Sequence, residues 1–137
     1  MPPELTAVLA RLAVQVSPRE FTAVEQLAGG SFSGLADLRR DPVATIDATD
    51  LTWQEARDRL SGLPVGQDDS LQVAWVAERA GARMSFAAFA ANSGDLWFPA
   101  MDDIVAVAAS GSPPMILVLD HEELITLSRL VIPAGSC

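Results

Sequence analysis

Met115-Ile116-Leu117-Val118-Leu119-Asp120-His121-Glu122-Glu123-Leu124-Ile125-Thr126-Leu127-Ser128-Arg129-Leu130-Val131-Ile132 carries the clearest structural pattern in the chain. Two β-rich runs flank four titratable residues, the pattern of a hairpin with an acidic tip. Gly111-Ser112-Pro113-Pro114 punctuates the chain just before it. Further back, residues 104–108 and 96–98 read as short strands, interrupted by Pro99 and Asp102-Asp103. Asn92-Ser93-Gly94-Asp95 reads as a turn. Leu71, Val73, Trp75 and Ala77 alternate with Gln72, Ala74, Val76 and Glu78, as in a strand with one buried face. A turn is expected at Ala80-Gly81-Ala82, and residues 84–91 fit either a returning strand or a helix, since their alanines permit both.

The first half has a different period. Leu5, Val8, Leu9, Leu12 and Val16 form one apolar stripe on a helix of about three turns. Ser17-Pro18-Arg19-Glu20 matches a capping box with proline at the first helical position, and Val16 and Phe21 stand where a hydrophobic staple forms. This second helix carries Phe21, Val24 and Leu27 inward and stops at Gly29-Gly30. A third is expected over about 32–39, ending before Asp41-Pro42. Thr52-Trp53-Gln54-Glu55 is a second capping box, opening a helix to about Leu60 that Gly62 and Pro64 end. Residues 43–47 suggest a short strand.

Helices followed by strands imply an α+β fold, with N-terminal helices packed on one face of a largely antiparallel β-meander ending in the hairpin. The 137 residues fit a single domain, with a helical part over about 1–63 and a strand-rich part over about 70–133.

Composition narrows the chemistry. The chain has 9 arginines and no lysine, no tyrosine, one histidine (His121) and one cysteine (Cys137, the last residue). Schiff-base and phenolic chemistry are thereby excluded, and one cysteine makes no internal disulfide. The formal charge of −9 disfavours phosphate backbones and anionic lipid, both of which are bound through Lys and Arg. No nucleic acid and no membrane are expected as partners, and no basic leader precedes an apolar run, so a cytoplasmic location is expected. Residues 21–40 have the length of a helix-turn-helix, but Asp37 and Asp41 flank Arg39 and Arg40, and two core helices are the better reading. Gly29–Gly34 has the spacing of neither a phosphate loop nor a nucleophile elbow.

Two clusters remain as candidate sites. Asp120, His121, Glu122 and Glu123, with Asp102 and Asp103 brought near by the sheet, are the densest group of reactive side chains. They offer carboxylates to a cation or a basic partner, or an imidazole to acid–base catalysis, but no HxH, HxxxH or HExxH spacing supports a metal, so no metal or cofactor is expected. Leu96-Trp97-Phe98-Pro99-Ala100-Met101-Asp102-Asp103 supplies aromatics suited to an interface centre. Strand alternation would bury one of Trp97 and Phe98 and expose the other.

In size, charge and layout the whole chain is similar to bacterial toxin-immunity proteins, a likeness of general shape that rests on no motif. That likeness and the residues together favour an acidic binding domain over an enzyme. It would dock a basic protein by occlusion, using Trp97, Phe98, Asp102, Asp103, Asp120, Glu122 and Glu123. The alternative is a small hydrolase or metal-dependent enzyme using His121 with Asp120 and Glu122.

Overall fold

The computed structural model describes residues 3–30, 32, 38, 42–98, 102–110 and 113–130. Among these are five helices and six strands: α1 (Pro3–Arg11), α2 (Pro18–Leu27), β1 (Ala44–Asp47), α3 (Trp53–Ser61), β2 (Ser70–Trp75), β3 (Ala80–Ser85), α4 (Phe86–Ala91), α5 (Ser93–Leu96), β4 (Ile104–Ala108), β5 (Met115–Leu119) and β6 (Leu124–Arg129). The strands form one antiparallel sheet in the order β1-β6-β5-β4-β2-β3. The chain is α+β, with β4, β5 and β6 as a meander that ends in the expected hairpin. Of the expected third helix, all but Phe32 and Leu38 lies outside the described residues, as do Arg39, Arg40 and Cys137.

Both faces of the sheet are covered. Leu71, Val73, Trp75, Ile104, Ala106, Leu117, Leu119, Ile125 and Leu127 share one core with α1, α3, α4 and α5. Ala74, Val105, Val107, Ile116 and Val118 share a second with Phe21 and Val24 of α2 and with Phe32. Alone among the five described helices, α2 therefore lies on the other face from the rest. The physical cause is in β4 and β5, Ile-Val-Ala-Val-Ala and Met-Ile-Leu-Val-Leu, which are buried throughout. Their odd and even positions each need an apolar cover, and one helical layer supplies only half of it.

Local chemistry explains most boundaries. The capping box of α3 is complete: Thr52 Oγ1 accepts from Glu55 N at 3.1 Å, and Glu55 Oε1 accepts from Thr52 N at 3.0 Å. The box expected at α2 does not form: Ser17 Oγ caps the helix by accepting from Arg19 N, Ser17 N donates to Gly81 O at 2.8 Å, and Glu20 turns to Arg83, 3.4 Å away. Gly29 and Gly30 end α2 with φ of 105° and 95°, values that favour glycine.

Four local expectations need correction. α1 stops at Arg11, since Ala13 takes a left-handed conformation (φ 56°), and Val16 is exposed and not the end of the stripe. Ala80-Gly81-Ala82 belongs to β3, and the reversal occurs at residues 76–79, where Arg79 has φ 52°. Residues 84–91 divide, since β3 runs to Ser85, whose hydroxyl accepts from Ala88 N and caps α4. Residues 92–98 hold α5 in place of a turn and strand. Trp75 Nε1 there donates to Leu96 O at 2.9 Å, which fixes the short helix against the sheet.

Candidate functional site

Antiparallel order brings chain segments far apart in sequence to one end of the sheet. β1 ends at Asp47, β2 at Trp75 and β5 at Leu119, while β4 begins at Ile104 and β6 at Leu124. The turns and strand ends there carry Asp47, Asp50, Glu78, Asp102, Asp103, Asp120, Glu122 and Glu123. The sequence expectation that Asp102 and Asp103 meet the hairpin tip holds through Asp103. Its Oδ1 accepts from the backbone N–H of His121 at 2.7 Å and lies 3.0 Å from His121 Nδ1. The tip is also tied to β1, since Ala48 N donates to Glu123 O at 2.9 Å.

These acids have unlike roles. Asp120 is only 3% exposed, and its Oδ1 accepts from Glu122 N and Leu124 N, so it organises the turn and has little surface to offer a partner. Asp102 is half-buried and holds the 76–79 reversal, accepting from Ala77 N, Glu78 N and Asp103 N. Burial raises its pKa, and these hydrogen bonds oppose the rise. Asp47 is exposed and is held below the usual carboxylate range by the Thr49 hydroxyl and N–H. Glu122 is exposed, and Glu123 is half-buried with φ 64°. The outward acids of this end are thus Asp47, Asp50, Glu78 and Glu122.

His121 is largely exposed. The hydrogen bond to Asp103 raises its pKa, helped by the charges of Asp103, Asp120 and Glu122. An Asp-oriented imidazole is what acid–base catalysis uses, yet no other side chain among the described residues hydrogen-bonds the ring. A cleft lined by Gln15, Ser17, Pro18, Arg19, Glu20 and Arg83, and another lined by residues of α3, α4 and α5, both lie away from His121. No group of three or more His, Cys, Asp and Glu among the described residues is placed to hold a metal ion.

The aromatics sort differently from expectation. Trp97 is 1% exposed and belongs to the core, so it offers no outward anchor. Phe98 is half-buried against the same core. The exposed aromatic is Trp53, at 49%, whose ring meets Trp97 edge to face with centroids 5.9 Å apart. In sequence Trp53 stands only as a residue inside the Thr52–Glu55 capping box, and the i, i+3, i+7 spacing of Trp53, Ala56 and Leu60 does not tell an exposed first-turn residue from a buried one. Its place at the first helical position, beside the cap, was the available signal. Along the chain Trp53 follows Asp50 by three residues, at the start of α3.

Comparison with protein-family models, with curated proteins and with solved structures found no match. No helix among the described residues is long and apolar enough to cross a membrane.

Proposed function

We propose that this chain is a small acidic binding domain that docks a basic protein and acts by occluding it, in the manner of an immunity protein or inhibitor. The observation that carries this reading is the convergence of four outward acids from three separate segments, Asp47 with Asp50, Glu78, and Glu122, on one end of the sheet. Such a field draws a cationic surface and orients it. Trp53, held by a complete helix cap and by Trp97, takes the anchoring role first assigned to Trp97 or Phe98. A rigid aromatic loses little conformational freedom on binding, which is why such residues dominate interface energetics. A basic protein partner met in the cytoplasm fits both features.

The experiment compares two charge-reversed forms of equal net charge. In one, Asp50, Glu78 and Glu122 become arginine; in the other, Glu4, Asp58 and Asp68, on α1, α3 and the loop before β2, do. Both forms should fold as the parent does by circular dichroism. A partner captured by the parent should be lost by the first and kept by the second. Equal loss from both would reduce the effect to net charge and remove the site.

A further inference from the structure

We infer that the cleft between α3 and the α4–α5 corner is a binding site for a small flat carboxylate, with the ligand ring on Trp53 and its carboxylate on Arg57. The cleft has a volume of about 370 Å³ and is lined by Trp53, Gln54, Arg57, Asn92, Gly94 and Asp95, among others. That volume suits one small organic molecule.

The charges of the lining decide the sign of the ligand. Arg11 donates to Asn92 Oδ1 at 3.1 Å and stands 3.9 Å from Asp95 Oδ2, so the one carboxylate at this cleft already faces a cation. Asn92 is also engaged through Nδ2, which donates to Ala88 O at 2.8 Å. Arg57, one helical turn beyond Trp53, has no side-chain partner among the described residues, and Gln54 has none either. What the cleft still offers is a guanidinium fork, an amide and an indole. A fork and a flat wall match a carboxylate carried on a planar ring, since guanidinium pairs carboxylates in a bidentate manner. Gly94 keeps the wall open, because a Cβ there would stand 3.5 Å from the Trp53 ring, at ordinary contact distance. The chain as a whole carries −9, so local contacts and not long-range steering must hold the anion.

The three tryptophans, Trp53, Trp75 and Trp97, give three indole N–H resonances that locate a ligand directly. The probe is benzoate at millimolar concentration, with benzyl alcohol as the uncharged control. Benzoate should shift the Trp53 signal, and the adjoining Trp97 signal, while leaving Trp75 in place. Arg57→Gln should weaken benzoate binding about tenfold or more without changing the response to benzyl alcohol, because it removes only a charge-assisted hydrogen bond. Gly94→Leu should abolish both responses; Gly94→Ala, whose methyl fits, provides a weaker block if the leucine form does not fold. Absence of any Trp53 shift up to the solubility limit would overturn the inference. So would a benzoate affinity unchanged by Arg57→Gln. Neither outcome bears on the acidic end, which those variants leave intact.

Discussion

Replacing Gly81 with alanine tests how the second core is built. Gly81 lies in β3, on the face that α2 covers, and Ser17 N donates to its carbonyl at 2.8 Å. A Cβ at this position would run into Phe21 N and would meet Glu20 C at 2.6 Å and Phe21 Cα at 2.7 Å. All three are backbone atoms of the first turn of α2, so no rotamer change relieves the clash and the helix itself must lift. Overpacking alone costs about 1–3 kcal/mol. Lifting α2 also withdraws part of the burial of Phe21 and Val24, now 3% and 0% exposed, each contributing about 1.5–3 kcal/mol when fully buried. The expected loss is about 3 kcal/mol, which moves a urea midpoint down by roughly 1–3 M for a small domain. Gly94→Ala is the internal control, because its Cβ makes only ordinary contacts and alanine suits a helix. Equilibrium urea unfolding followed by tryptophan fluorescence measures both. A Gly81→Ala midpoint within experimental error of the parent would show that α2 does not approach β3 this closely, and the second core would need another description.

The buried hydroxyls of β6 give a second test: Thr126 Oγ1 has no hydrogen-bond partner among the described residues, and the residue is 3% exposed. Thr126→Val should therefore leave thermal stability unchanged or raise it by up to about 1 kcal/mol, whereas a clear drop would mean that the hydroxyl is bonded. His121, the lone histidine, should titrate above the ordinary imidazole value because Asp103 favours its charged form. The sign follows from a raised folded-state pKa: the clasp contributes most below the unfolded imidazole value and loses its contribution as pH rises through the folded one. Asp103→Asn should lower the midpoint of the ring-proton NMR titration toward the ordinary value, and a midpoint that stays put would deny the contact.

Short-range signals were legible where one residue type performs one local task. Thr52 with Glu55, Gly29 with Gly30, and the hairpin strands Met115–Leu119 and Leu124–Arg129 fell where spacing indicated. The cover of the second face was written in β4 and β5 as five unbroken apolar residues each, but helix order alone does not say which helix supplies it. Gly81 looked like a turn because glycine is the usual turn residue, whereas here it permits a close approach of two backbones. The convergence of Asp103 with the 120–123 tip was legible, since antiparallel pairing of neighbouring strands returns their ends together. The separate fates of its acids were not, because Asp120 and Glu122 are alike in sequence and differ only in which backbone N–H groups they face. The burial of Trp97 was hidden for a similar reason: α5 ends at Leu96, and the residue that follows it is 1% exposed.

If the acidic sheet end is a docking surface, association kinetics with the captured partner at several salt concentrations will show it. Exposed charges are screened over about 8 Å at physiological ionic strength, so the parent should associate fastest at low salt and slow steadily as salt is added. The form with Asp50, Glu78 and Glu122 reversed should associate slowly and show a flattened or inverted salt dependence, while the form reversed at Glu4, Asp58 and Asp68 should keep most of the parent's slope. Superimposable salt profiles for the two reversed forms would contradict the account, since the partner would then respond to total charge and not to this end of the sheet.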